Sequence, residues 1–78
     1  MEISIEYCGT CNYRPQAAAL ASVIEEALGV RPILVHSNII GMYKITVDGD
    51  TIFSTYTASR FPEKSEIVAM LKKRLGGG

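Results

Sequence analysis

A Cys-x-x-Cys motif, Cys8-Gly9-Thr10-Cys11, constrains the fold of this chain more than any other feature, because of the segments on either side of it. Residues 2–7 before it alternate polar and apolar side chains, which predicts a β-strand with one buried face. An alanine-rich segment with helical spacing of apolar residues follows it, from Gln16 to Leu28, and stops at Gly29. The pattern therefore predicts two thiols at the junction between a strand and a helix N-terminus.

That position favours thiol–disulfide exchange. A helix N-terminus carries partial positive charge, which lowers a thiol pKa and increases the fraction of attacking thiolate at neutral pH. Exchange needs one cysteine that attacks and one that resolves the mixed disulfide. Cys8, nearest the strand end, is predicted to be the exposed attacking thiolate, and Cys11 the more buried resolving cysteine. Arg14 could add positive charge, although an exposed arginine after a helix start is more often only solvated.

Composition narrows the class of protein and its location. The 78 residues are 47% hydrophobic, which suits one small domain with a packed core. Eight basic and eight acidic residues cancel without forming long runs, so we expect no nucleic-acid partner and no membrane surface. No apolar run approaches the roughly 20 residues of a membrane span, and the N-terminus lacks a signal-peptide pattern. We therefore expect a cytoplasmic monomer, whose thiols are kept mostly reduced.

The rest of the chain predicts an α/β domain with the element order β-α-β-β-β-α. Residues 31–36 form a short apolar run typical of a buried strand, residues 43–47 alternate, and Asp48-Gly49-Asp50 predicts a hairpin into a strand over 51–56. Pro62 is expected to open the last helix. The predicted fold is a two-layer sandwich: a mixed four-stranded sheet with both helices on one face and a polar second face.

The helical stripes and the domain limits follow from the same pattern. The first helix is expected to bury Leu20, Val23, Ile24, Ala27 and Leu28, and the last helix Ile67, Val68, Leu71 and Leu75. We predict a single domain over residues 1–75, followed by a flexible glycine tail over 76–78.

Other interpretations of the two cysteines remain open. A structural disulfide would close a very short loop, which stabilises little, and such bonds are rare in the cytosol. A metal site is the stronger competitor, because Cys-x-x-Cys is also half of many zinc sites. His36 is the only histidine, however, and it lies mid-strand, where a sheet role is expected. The pair could also belong to a non-enzymatic module that binds a partner and senses oxidation.

The chain resembles the selenoprotein W-like family, also called the Rdx family, over almost its whole length. The segment Tyr7-Cys8-Gly9-Thr10-Cys11-Asn12-Tyr13 is similar to the family's Tyr-Cys-x-x-Cys/Sec-x-Tyr opening after a strand. Residues 41–47 are similar to its Gly-x-Phe-Glu-Val strand, residues 49–54 to its return strand, and Phe61-Pro62 to the entry of its C-terminal helix. The resemblance implies a thioredoxin-like fold and a redox role, with glutathione as co-substrate and no bound cofactor.

The resemblance also bears on individual site residues. It implies that Cys11 stands where some relatives carry selenocysteine, which favours Cys11 as nucleophile, whereas the helix-terminus argument favours Cys8; we keep Cys8 as the predicted attacker. Asn12 replaces a glycine common in the family. The stretch 38–41 lacks the cis-proline that thioredoxins place opposite the dithiol. This argues against a thioredoxin-type grip on extended peptide substrates, although backbone groups near Ile40 could still serve. The predicted substrate or partner contacts are Gly9, Thr10, Asn12, Tyr13 and Ile40.

Overall fold

The computed structural model describes residues 1–76 and contains one mixed sheet with helices. In chain order its elements are β1 (Ile3–Cys8), α1 (Arg14–Leu28), β2 (Ile33–Ser37), β3 (Tyr43–Val47), β4 (Asp50–Ser54), α2 (Thr55–Ala58) and α3 (Lys64–Gly76). The four strands lie in the order β2-β1-β3-β4. β1 pairs parallel to β2 and antiparallel to β3, and β4 pairs antiparallel to β3. This is the predicted mixed sheet, and the β-α-β-β-β-α order is confirmed with one short helix added.

The core lies on one face of the sheet, beneath both long helices. Alternate residues of β1 and β3 point into it because successive strand side chains face opposite ways. The buried cluster consists of Ile3, Ile5, Tyr7, Ala17, Leu20, Ile24, Tyr43, Ile45, Val47, Ile67 and Leu71. Both long helices therefore cover the same face, as predicted. On the opposite face, Glu6 of β1 pairs with Lys44 of β3, and the two charged groups approach to 3.4 Å.

The turn between β3 and β4 matches its sequence pattern. Asp48 and Gly49 have φ angles of 49° and 88°, the left-handed conformations that a two-residue hairpin turn requires at both central positions. β4 accordingly begins at Asp50, which pairs with Val47. The predicted hairpin is confirmed.

The prediction of a buried second strand is wrong. β2 is an edge strand with only β1 beside it, and Ile33 and Val35 are 62% and 40% exposed. Their register partners in β1 are Ser4 and Glu6, which lie on the face without helices. A continuous apolar run therefore does not distinguish a buried strand from an edge strand whose outer face is uncovered.

The boundaries of three other elements also differ from their predictions. α1 begins at Arg14, two residues early, and β4 ends at Ser54 because the Ser54 hydroxyl accepts a hydrogen bond from the Tyr56 amide and caps α2. α3 begins at Lys64, after Pro62. Within the helical stripes, Ala27 and Leu75 are exposed. Gly76 lies in α3, while residues 77 and 78 of the predicted tail lie outside the described residues.

The start of α3 is held by a carboxylate. Glu66 accepts two hydrogen bonds from the Arg60 guanidinium, at 2.7 and 3.1 Å, and one from the Glu63 amide at 2.9 Å. The Arg60 contact, followed by the Glu63 amide, lowers the pKa of Glu66 from 4.5 to about 2. The ionised carboxylate thus favours the folded state.

We expect this contact to make stability depend on pH in the acid range. Because the folded pKa lies below the unfolded one, its contribution is present above about pH 4.5 and is lost as pH falls towards 2. Glu66→Gln should therefore show a smaller drop in melting temperature between pH 5 and pH 2.5 than the wild type. Glu26→Gln, an exposed carboxylate of α1, is the control and should follow the wild-type curve. Identical pH dependence in the Glu66 variant would contradict the assignment.

Candidate dithiol site

The two cysteines are joined in the structure by a Cys8–Cys11 disulfide, with their Cα atoms 5.4 Å apart. That separation lies within the usual range for a disulfide, and the small Gly9 and Thr10 between them let the ring close. The motif occupies the predicted junction: Cys8 ends β1, and α1 begins three residues after Cys11.

The exposure of the two cysteines is the reverse of the prediction. Cys8 is 0% exposed, whereas Cys11 is half-buried. Cys8 is the last residue of β1, which lies between β2 and β3 in the sheet. The Cys8 amide donates to the Met42 carbonyl at 2.7 Å, and Cys8 lies in register with the buried Ser37. Cys11 lies beyond the end of β1 and is the more exposed of the two cysteines.

Each sulfur has a polar neighbour. The Gly41 amide donates to Cys11 Sγ at 3.4 Å, and the Thr10 hydroxyl lies 3.5 Å from Cys8 Sγ. A backbone N–H directed at sulfur favours its anionic form, because the donor stabilises negative charge. The loop that joins β2 and β3 therefore contributes directly to the environment of Cys11.

The same loop is closely hydrogen-bonded. The Ser37 carbonyl accepts from the Gly9 amide at 3.2 Å, and the Ser37 hydroxyl accepts from the Ile39 amide at 3.1 Å. The Met42 amide donates to the Ile39 carbonyl at 3.2 Å. These bonds hold the loop of residues 38–42 against the motif from one side.

His36 covers the motif at Gly9. The residue lies on β2, in register with Tyr7, so the predicted place in the sheet is confirmed. Its imidazole nevertheless occupies the space above Gly9, and a Cβ added at that position would fall 1.6 Å from His36 Nε2. The ring also meets Tyr7 edge-on, with centroids 6.0 Å apart. Glycine is needed at position 9 as long as the imidazole rests there.

Arg14 and Tyr13 both contact neighbouring aromatic residues. Arg14 Nη1 donates to the Tyr7 hydroxyl at 3.0 Å, which holds the guanidinium beside the end of β1. Tyr13 packs edge-on against Phe61, with ring centroids 4.8 Å apart, and Phe61 packs against Tyr43 at 5.0 Å. Burial raises the pKa of Tyr43 to about 12, so its hydroxyl is neutral at physiological pH.

A cavity of about 490 Å³ opens between the start of α1 and the segment before α3. Its walls include Pro15, Leu20, Tyr43 and Phe61, and neither cysteine contributes to them. Both sulfurs of the motif therefore lie outside the walls of this cavity.

Asn12 has a φ of 60°, in the left-handed region that most residues with a side chain avoid. Asparagine tolerates this conformation better than other non-glycine residues, and glycine adopts it freely. The backbone therefore explains why asparagine can stand at position 12 in place of the glycine common in the family: both residues can adopt the left-handed conformation of this turn.

Substitutions at position 12 should separate backbone strain from side-chain contact. Asn12→Ala should destabilise the fold by about 1 kcal/mol, the approximate strain of a left-handed alanine. A loss of that size lowers the melting temperature of a domain this small by about 4–8 °C. Asn12→Gly, the matched control, should melt at or above the wild-type temperature. Equal losses in both variants would show that the amide side chain matters and not the φ angle.

The other predicted contact residues surround Cys11 to different extents. Gly9, Thr10 and Asn12 are exposed, Tyr13 is half-buried, and Ile40 is 71% exposed. The Ile40 carbonyl accepts a hydrogen bond from the Tyr56 hydroxyl.

Sequence reasoning missed four residues at this site: His36, Gly41, Thr55 and Tyr56. The sequence pattern predicts a strand for Thr55 and Tyr56, but α2 turns them towards the loop that faces Cys11, where the Thr55 hydroxyl donates to the Gly41 carbonyl at 2.9 Å. The N-cap pattern of Ser54 followed by polar residues was the available signal. Within residues 1–76, no group of three or more His, Cys, Asp or Glu side chains could hold a metal ion. The same residues contain no helix long and apolar enough to cross a membrane.

The sequence and the structure of this chain were compared with those of known proteins. The chain matches the model of the Rdx family over residues 2–73, while no curated protein shows a significant match in sequence. A solved selenoprotein W-related protein from Vibrio cholerae is similar, with 22% identity, a TM-score of 0.83 and 92% of each chain covered. A solved protein from Bordetella parapertussis is similar at 22% identity and a TM-score of 0.88, over 94% of this chain and 95% of that one. These two structures confirm the thioredoxin-like sandwich. Because the Rdx family model matches nearly the whole chain, this protein belongs to the Rdx family.

Proposed function

We propose that this protein is a small thiol–disulfide oxidoreductase that uses Cys8 and Cys11, with glutathione, a protein thiol or both as reaction partners. The family, the thioredoxin-like fold and the Cys8–Cys11 pair at disulfide distance support a redox role. No bound cofactor is required, since the two sulfurs carry the electrons. The proposed setting is a reducing compartment such as the cytoplasm, where the dithiol form is maintained.

The observation that carries the proposal is the unequal exposure of the two sulfurs. Exchange requires an attacking sulfur that the reactant can approach and a second sulfur kept away from solvent until it resolves the intermediate. The half-buried Cys11, with the Gly41 amide directed at its Sγ, fits the first role. The 0% exposed Cys8 fits the second. This assignment reverses the one drawn from the sequence.

The reaction proceeds in two displacements. The Cys11 thiolate attacks one sulfur of a disulfide R–S–S–R′, forms the mixed disulfide Cys11–S–S–R, and releases R′–S⁻. Cys8, deprotonated, then attacks Cys11 Sγ and releases R–S⁻, leaving the Cys8–Cys11 disulfide. Two electrons have passed to the partner, and the two released thiolates take up the two protons of the former dithiol. Two glutathione molecules restore the dithiol by the reverse sequence and leave as glutathione disulfide.

The surface around Cys11 supports a partner that docks from outside. Gly9, Thr10 and Asn12 form an exposed turn, the Tyr13 ring borders it, and Ile40 lies opposite, 71% exposed. None of these five residues carries a charged side chain. A tripeptide thiol or a cysteine in an extended protein segment would fit such a surface, and we propose that these residues make the contact with the protein as a monomer.

The reduction potential of the Cys8–Cys11 pair tests the proposal. The protein is equilibrated in graded glutathione buffers, alkylated and weighed, with Cys8→Ser as the control that cannot form the internal disulfide. We expect a reversible internal disulfide with a potential between about −180 and −270 mV, the range of known exchange proteins. Failure to form one in that range would exclude the oxidoreductase assignment.

A second candidate is a non-enzymatic module that binds a partner protein and senses oxidation. The observation in its favour is the exposed apolar group beside the motif, where Ile39, Ile40 and Tyr56 are 48%, 71% and 58% exposed. Oxidation of the pair would then change partner affinity without turnover of a thiol substrate. Steady reduction of a disulfide by glutathione at catalytic protein concentration would exclude this alternative.

A further inference from the structure

A single peptide unit links Tyr56 to the sulfur of Cys11. The peptide bond between Ile40 and Gly41 presents its carbonyl oxygen to the Tyr56 hydroxyl, which donates a hydrogen bond to it. Its N–H, on the opposite side of the same planar group, donates to Cys11 Sγ at 3.4 Å. Since the peptide unit is rigid, a contact that fixes its oxygen also fixes the direction of its N–H.

A second hydroxyl holds the next peptide unit. Thr55 Oγ1 donates to the Gly41 carbonyl at 2.9 Å, so α2 fixes the backbone on both sides of the Gly41 Cα. Gly41 has a φ of 78° and no side chain to restrict it, so the loop at this point depends on outside contacts for its conformation. Consecutive residues of one short helix supply them.

The hydroxyl of Tyr56 also polarises the amide. Hydrogen bonds in a chain strengthen one another, because a donor at the carbonyl oxygen makes the attached N–H a better donor. The Gly41 amide donates to Cys11 Sγ, and this sulfur carries full negative charge only after the disulfide is reduced. The contact therefore stabilises the dithiol form more than the disulfide form.

We propose that Tyr56, assisted by Thr55, is a positioning residue that sets the reactivity of Cys11 through the Ile40–Gly41 peptide. This inference rests on the proposed exchange function. The effect of Tyr56 on the Cys11 thiolate can nevertheless be measured without a turnover assay. Neither hydroxyl contacts sulfur, so neither is a catalytic residue.

The test compares wild type with Tyr56→Phe, which removes the hydroxyl and keeps the ring. With less stabilisation of the thiolate, the constant for oxidation of the dithiol by glutathione disulfide should rise about threefold. This lowers the potential by about 14 mV, taking 29.6 mV per tenfold change for a two-electron couple. Alkylation of Cys11 by iodoacetamide, followed by peptide mass mapping, should slow about twofold at pH 7, with its pH profile moved to higher pH.

Two further variants separate positioning from a loss of structure. Thr57→Val removes another hydroxyl of α2, one that donates its hydrogen bond to the carbonyl of the N-cap Ser54 at 3.1 Å and not to residues 38–42. It should leave the potential and the alkylation profile at wild-type values. Thr55→Ser keeps the donor to Gly41 and should also remain close to wild type, whereas Thr55→Val should shift in the direction of Tyr56→Phe.

The outcomes distinguish this inference from the function on which it rests. A wild-type protein without a reversible internal disulfide would overturn the oxidoreductase proposal, while the alkylation profiles would still test the role of Tyr56. A normal wild-type potential with Tyr56→Phe unchanged in both measurements would overturn the positioning role alone. An equal shift in Thr57→Val would also overturn it, since the effect would then come from loosening α2.

Discussion

Serine in place of Cys11 should abolish the reduction of disulfide substrates, because it removes the proposed attacking sulfur. Cys8→Ser, supplied with glutathione disulfide and no free glutathione, should accumulate a mixed disulfide at Cys11, since the resolving thiol is missing. The measurement is intact mass after incubation with glutathione disulfide, followed by peptide mapping of the modified cysteine. We expect one glutathionyl group on Cys11 in Cys8→Ser and little modification of Cys11→Ser.

The pair of cysteine variants also decides between the two assignments of roles. The helix-terminus argument from the sequence predicts trapping in Cys11→Ser, whereas the 0% exposure of Cys8 predicts trapping in Cys8→Ser. Far-ultraviolet circular dichroism spectra of each variant and of the wild type control for correct folding. A stable adduct on Cys8 in the Cys11 variant would support the assignment from the helix terminus and contradict the one from exposure.

Leu71→Ala should destabilise the fold more than Asn12→Ala or Glu66→Gln. Leu71 is 0% exposed in the core cluster, and truncation of a buried leucine typically costs about 2–5 kcal/mol. Since each kcal/mol lowers the melting temperature of a domain of this size by about 4–8 °C, a drop of roughly 10 °C or more is expected. Thermal unfolding by circular dichroism provides the measurement.

Leu75→Ala is the matched control, because it makes the same change one turn later on the same helix. Leu75 is 52% exposed, so its truncation should alter stability by no more than about 0.5 kcal/mol. The two variants differ in burial while helix propensity changes equally. Similar losses in both would mean that α3 does not bury Leu71 against the sheet.

The elements with local signals could be predicted from the sequence. The alternation of Ile3, Ile5 and Tyr7 specifies one buried face of β1, and Asp48-Gly49 specifies a two-residue turn through its left-handed backbone. The prediction that the two cysteines lie between a strand and a helix was correct, and the family resemblance was confirmed. These features depend on residues close in sequence, so their patterns are sufficient.

The properties that depend on neighbours distant in sequence could not be predicted in the same way. The burial of Cys8 and the exposure of Val35 arise only in the folded sheet, where Cys8 ends the central strand β1 and Val35 lies on the uncovered face of the edge strand β2. The strand patterns alone contain no information about lateral order. The contacts of His36 with Gly9 and of Tyr56 with the Ile40 carbonyl likewise join residues that only the folded sheet brings together.

The difference in solvent exposure between the two cysteines affects how the protein would respond to oxidation by peroxide. Hydrogen peroxide would oxidise the Cys11 thiolate to a sulfenic acid and release hydroxide, while Cys8, with 0% exposure, is shielded from the oxidant. Cys8 lies close enough to attack that sulfenic acid, expel water and form the disulfide, since the Cα atoms are 5.4 Å apart in the bonded state. Condensation on the spot removes the species that a second peroxide would convert irreversibly to sulfinic acid. The covered cysteine thereby preserves the exposed one, and oxidative stress leaves the protein in a form that thiols can restore.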